Sequence, residues 1–81
     1  METKDGAALR KRREMAGFSL EDIQELIPSI SYARLSRVER GRAELSTTER
    51  SDLDRLLSSR LRQRAAEFAE YMRESDQAVA V

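Results

Sequence analysis

An all-α fold, a compact domain of four to five helices followed by a C-terminal amphipathic helix, is what three features of these 81 residues predict. Apolar residues recur at intervals of three or four, the spacing of a helical face rather than a strand. Gly6, Gly17, Pro28 and Gly41 are the only glycines and proline, so the first half is cut into short pieces and the second half is unbroken. Serines stand where such helices need N-caps, at Ser19, Ser29, Ser31 and Ser46.

The first helix is expected over about Ala7 to Ala16, with Leu9, Ala16 and the stems of Arg12 and Arg13 at helical spacing. Gly17 can take the left-handed conformation that ends it. Ser19 then caps a second helix starting at Leu20. Asp22, three residues on, completes a capping-box-like pair, and Phe18 and Ile23 are placed as a hydrophobic staple. Pro28 disfavours helical geometry at Ile27, so this helix ends near Leu26 or Ile27.

A third helix starts between Ile30 and Tyr32, capped by Ser29 or Ser31, and runs to about Arg40, where Gly41 stops it. Leu35 and Val38 form its inward pair, leaving Arg34, Arg37 and either Tyr32 or Ser36 outward. Arg42 to Leu45 make a loop, and Ser46 with Glu49 gives a further capping box.

From Thr47 to Glu74 there is no Gly or Pro, and Leu53, Leu57, Leu61, Ala65, Phe68 and Met72 keep helical spacing. One continuous helix over that stretch would be about 42 Å long, more than so small a domain can cover. Two outcomes are open. Either Ser58-Ser59 interrupts it into a fourth and a fifth helix, or its distal half projects and packs on another molecule. Residues 75–81 show no periodicity and are expected to form a flexible tail.

Composition narrows the chemistry. Without His or Cys there are no serine-histidine or cysteine-histidine pairs, no imidazole or thiolate metal ligands and no disulfides, so neither an enzyme, a metal site nor a cofactor is expected. Glu21, Asp22 and Glu25 share one helical face, but an acidic first turn favoured by the helix dipole explains them without catalysis. No apolar run approaches the roughly 20 residues of a bilayer span, and the N-terminus lacks a signal-peptide core, so a cytoplasmic protein without a membrane partner is expected.

Net charge is zero, with nine Lys or Arg against seven Asp or Glu in residues 1–42 and six against eight in the remainder. So weak an asymmetry does not by itself mark a nucleic-acid binder. The more telling feature is Ser19 to Gly41, SLEDIQELIPSISYARLSRVERG, which has the sequence form of a helix-turn-helix ending in an arginine-bearing face. With Leu9-Arg10-Lys11-Arg12-Arg13 before it, the segment resembles the DNA-binding domains of the lambda-repressor-like family, also called the Cro or XRE family. The resemblance covers roughly Ala7 to Leu57, and its most specific piece is Leu35-Ser36-Arg37-Val38-Glu39-Arg40-Gly41.

The resemblance implies a lambda-repressor-like helix-turn-helix domain over residues 1–58, with the early third helix reading bases and its surroundings gripping phosphates. On the matching positions, Tyr32, Ala33, Arg34, Ser36 and Arg37 are base-contact candidates and Lys11, Ser19, Ser31 and Arg42 phosphate-contact candidates. An arginine can donate two hydrogen bonds to guanine, worth about 1 to 3 kcal/mol of discrimination. Arg13 and Glu39 match an ion pair common in the family that would lock the first helix to the third. Two departures stand out. Leu20 replaces the Gln that many relatives carry after the N-cap of the second helix, and Ile27-Pro28-Ser29-Ile30 makes the turn one residue longer than usual.

Beyond Leu57 the resemblance ends, and residues 59–74 must be read alone. Their stripe of Leu61, Ala65, Phe68 and Met72 either folds back on the domain or forms a dimer interface, the latter fitting a family that commonly binds two half-sites one DNA turn apart. The leading expectation is a sequence-specific regulator, a bacterial or phage repressor that binds a two-fold symmetric operator in double-stranded DNA as a homodimer. The alternative is an antitoxin-like module that captures a toxin or other protein partner.

Overall fold

A computed structural model describes the backbone of residues 3–80 and the side chains of residues 6–76. Over that range all regular secondary structure is helical: α1 (Thr3–Ala16), α2 (Leu20–Leu26), α3 (Tyr32–Glu39) and α4 (Thr47–Ala80).

The helix ends follow from local chemistry. Gly17 (φ 85°) closes α1: its N–H donates to the Glu14 carbonyl and the Phe18 N–H to the Arg13 carbonyl, at 3.0 and 3.1 Å. Gly41 (φ 77°) closes α3 with the same pair of bonds, to Val38 at 3.0 Å and from Arg42 to Arg37 at 2.8 Å. Both are Schellman ends, in which a residue without Cβ takes the left-handed step. At the helix starts, Ser19 and Asp22 exchange bonds of 3.0 and 2.8 Å, and Ser46 and Glu49 exchange bonds of 3.1 and 3.0 Å. Each exchange satisfies two backbone donors that the helix itself leaves unpaired.

Three expectations need correcting. The first helix begins at Thr3, not near Ala7, and carries Gly6 inside it. The reason is proximity: a Cβ on Gly6 would stand 2.7 Å from the Val38 carbonyl oxygen and 2.5 Å from that of Glu39. Gly6 thus lets the α1 backbone lie against the C-terminal end of α3.

The pair Ser58-Ser59 does not interrupt α4, so the described residues form four helices and no fifth. Serine costs a helix only a few tenths of a kcal/mol, and Ser58 is engaged, its Oγ accepting from Arg12 Nη2 at 2.8 Å while Arg12 Nη1 donates to Asp54 at 2.8 Å. The flexible tail expected over residues 75–81 is helical as far as Ala80, and Val81 lies outside the described residues.

The core gathers Ala16, Ile23, Ile30, Leu35, Val38, Leu53 and Leu57, with Leu9, Phe18, Leu20, Ile27, Leu45, Leu56 and Leu61 packed around it. It therefore uses all four helices and the turn between α2 and α3, but nothing of α4 beyond Leu61. The remainder of α4 projects: the molecule measures 54 × 26 × 19 Å, and its radius of gyration of 15.9 Å exceeds the about 12 Å of a compact domain of this length. No helix among the described residues is long and apolar enough to cross a membrane.

Candidate nucleic-acid interface

The orientation of α3 is set by two arginine-carboxylate pairs on opposite flanks. On the first, Arg13 Nε donates to Glu39 Oε2 at 2.7 Å and Nη2 to Oε1 at 3.0 Å, with both side chains below one-tenth exposed. The remaining Arg13 nitrogen, Nη1, donates to the Phe18 carbonyl at 2.8 Å. One guanidinium thereby ties α1, the turn after it and the end of α3. Its hydrogen bonds to Glu39 raise the Arg13 pKa above the usual arginine value, against the opposing effect of burial.

On the other flank Arg34 meets Glu49, with Nη1 to Oε2 at 2.7 Å and Nη2 to Oε1 at 2.6 Å. Its nitrogens also donate to the Glu44 carbonyl at 3.2 Å and the Ser29 carbonyl at 3.5 Å. The hydrogen bond from Arg34 holds the Glu49 carboxyl down at about 2, and the same bond raises the arginine. The sequence reading counts Arg34 among the base-contact candidates, and in the free chain its head group is turned to Glu49. Both of its terminal nitrogens are engaged as a tether from α3 to the preceding turn, the following loop and the first turn of α4.

What α3 presents outward is narrower. Ala33, Arg37 and Arg40, at i, i+4 and i+7, are exposed along one stripe. Ser36 is half-buried beside them, and Tyr32 at the start of the helix is 47 % exposed. The lone acid of α3, Glu39, is buried and paired, so this face carries no carboxylate. Arg37 makes no side-chain hydrogen bond or ion pair among the described residues, while Arg40 donates from Nε to the Ser36 carbonyl at 3.3 Å.

The phosphate candidates separate as well. Lys11 is exposed on the side of α1 away from Arg13, and Arg42 is exposed just after the Gly41 turn. Ser31 caps α3, its Oγ accepting from the Arg34 N–H at 3.2 Å, which leaves its hydroxyl proton free to donate. Ser19 is in a different position. Its N–H already donates to the Asp22 carboxylate, and Glu21 and Glu25 are exposed on the same short helix. An anion at this helix start would meet negative charge, unlike one at Ser31.

Three residues lie outside the site set read from the sequence. The Gln24 side-chain carbonyl accepts the Tyr32 N–H at 2.5 Å, joining α2 to the first turn of α3. Arg40 lies just past the last helical residue of α3 yet extends its exposed stripe, a position visible in the 33, 37, 40 spacing. Arg60 donates from Nε to the Ala16 carbonyl at 3.4 Å and lies 5.4 Å from the Phe18 ring centroid, a cation at the negative end of α1.

The C-terminal stripe is split. Leu61 is half-buried against the core, but Ala65 is exposed, Phe68 and Tyr71 are each 64 % exposed and Met72 is 43 % exposed. The fold-back alternative therefore fails beyond Leu61. No family model matches this chain, and neither a curated protein nor a solved structure gives a significant match.

Proposed function

We propose that this chain is a sequence-specific DNA-binding regulator with a lambda-repressor-like helix-turn-helix, made of α2, the turn over residues 27–31 and α3. The observation that carries the reading is the outward stripe of α3, Ala33, Arg37 and Arg40, basic and free of carboxylate, on a helix braced from both flanks by Arg13-Glu39 and Arg34-Glu49. A recognition helix needs this division: side chains that read must be exposed, and those that set its angle must be fixed.

In the major groove Arg37 is the residue suited to pair with guanine O6 and N7, and the Ala33 methyl suits contact with a thymine methyl. Tyr32, Ser31, Arg40, Arg42 and Lys11 would hold phosphates and sugars, fixing register without reading sequence. Ser36 sits beside Arg37 and can donate to either a base or a phosphate. The reaction class is binding alone. Occluding a promoter is enough for repression, and the reading places a dimer on a two-fold operator in the cytoplasm of a bacterium, or under phage control.

Binding to duplex DNA across a salt series tests this. A DNA reader gives a log-log slope of about −0.9 per phosphate neutralised. The acidic first turn of α2 and the exposed apolar side chains of distal α4 favour one other reading, an antitoxin-like module on the same scaffold whose partner is a protein. A flat salt response with no sequence preference would support that instead.

A further inference from the structure

Between α1, the loop over residues 41–46 and the start of α4 lies a groove of about 690 Å³. Its floor is apolar: Leu9, Ala43 and Leu45 are half-buried there, beside the buried Val38 and Leu53. The charged groups that line it are unevenly matched. Arg12 and Asp54 satisfy each other at 2.8 Å. Among the described residues Arg42 and Arg50 are exposed and make no side-chain hydrogen bond or ion pair, and Glu44 is the single carboxylate left to set against them. We infer that this groove binds a small amphipathic carboxylate, an acyl or aryl chain ending in one anionic group, with its body on Leu9, Ala43 and Leu45 and its head group held by Arg42 and Arg50.

Size points to a small molecule. Ligand clefts hold about 300–1,000 Å³, whereas a stable protein partner needs a contact of about 800 Å² on each side. Charge then selects the head group. A cation would meet two guanidinium groups against one carboxylate, and a neutral chain would use the floor while leaving both arginines unmatched. A carboxylate suits them best, because its two oxygens fit the planar fork of a guanidinium.

The groove adjoins the helix proposed to read DNA, since Val38 belongs to α3 and Arg42 follows the Gly41 turn that closes it. Arg42 is also a phosphate-contact candidate, and its guanidinium cannot hold a ligand and a phosphate equally well. An occupied groove should therefore weaken DNA binding, and DNA should weaken the ligand by the same factor. That coupling, unlike the site itself, rests on the DNA reading.

Titration of the ¹⁵N-labelled full chain with octanoate, and in parallel with 1-octanol, tests the site without DNA. Saturable shifts should centre on the amides of Leu9, Gly41, Ala43, Leu45 and Leu53, and octanoate should bind several-fold more tightly than the alcohol. Ala8→Trp, at an exposed position on the groove wall, should abolish those shifts, and Arg50→Gln should weaken octanoate several-fold, each with an unchanged thermal melt. Absence of saturable shifts, or shifts centred on the exposed Phe68 and Met72, would overturn the site. Equal affinity for the alcohol would overturn the anionic class of ligand. For the coupling, octanoate at saturation should raise the Kd for DNA about 5-fold or more in the wild type and not in Ala8→Trp. Groove shifts in a chain that binds no DNA would uphold the site and reject the DNA reading, whereas DNA binding without groove shifts would reject the site alone.

Discussion

Arg34 and Glu49 are joined by a hydrogen bond of 2.7 Å and an ion-pair contact of 2.6 Å that link α3 to the first turn of α4 across the intervening loop. Glu49 serves twice, since its Oε1 also accepts the Ser46 N–H that opens α4. The pair therefore separates two arginines that lie three residues apart on α3: Arg34 maintains the shape of the domain and Arg37 faces out of it.

Substituting them one at a time should separate two properties. Arg37→Ala is expected to leave the melting curve within about 0.5 kcal/mol of wild type, as exposed positions do. It should weaken specific DNA binding by about 10- to 100-fold. Arg34→Ala should lower the melting midpoint first and binding only as a result. Parallel melts and anisotropy titrations of the two variants check this, and the reverse pattern would return Arg34 to the reading face.

The same pair predicts an acid response. Glu49 sits at about 2 in the folded chain against an ordinary value of 4.5, because it accepts from Arg34. A folded-state pKa below the unfolded one means that its stabilisation is complete above the unfolded value. It drains away as pH falls from about 4.5 towards 2. Glu49→Gln should be the less stable protein at neutral pH and should show a shallower loss of stability across that acid window. Thermal melts of both proteins at a series of pH values supply the comparison.

For the buried pair the expected cost is larger. Glu39→Ala leaves Arg13 charged, desolvated and without its carboxylate, and should destabilise the domain by about 3 to 5 kcal/mol. DNA binding should fall with it, because α3 loses its brace to α1. Arg13→Met combined with Glu39→Leu should recover much of that stability by removing both charges together. Denaturant titration of the single and double variants provides the cycle; an unchanged midpoint in Glu39→Ala would contradict the structural role.

Gly6→Ala provides a control on packing. In an exposed helix interior the change should help by up to about 1 kcal/mol. At this position the new methyl meets the backbone carbonyls of Val38 and Glu39, and neither can swing aside as a side chain would. A destabilisation of about 1 to 3 kcal/mol is expected, and a more stable variant would show that α1 does not lie this close to α3.

What the chain reveals without coordinates depends on how locally each feature is determined. Ser19 with Asp22, Ser46 with Glu49, and the stops at Gly17 and Gly41 are decided within four residues, so the helix limits they set are legible. Gly6 misleads because its cause is tertiary: a residue that ordinarily marks a break is kept inside α1 by the carbonyls of another helix. Ser58 misleads in the same way, since the guanidinium of Arg12 uses it. The tether role of Arg34 is hidden for a subtler reason. Helical spacing places it outward of Leu35 and Val38, and only the position of Glu49 shows that this flank is occupied. The stripe past Leu61 was legible as a pattern, but its exposure depends on where the core ends.

The central claim is that the outward stripe of α3 reads DNA, and the most direct test is selection from randomised duplexes by the wild-type chain and by an Arg37→Ala, Arg40→Ala variant. The account predicts that the wild type enriches a two-fold symmetric motif. It also predicts that the variant, still folded by its melt, loses discrimination at one position in each half-site. Failure of the folded wild-type chain to enrich any motif would contradict it.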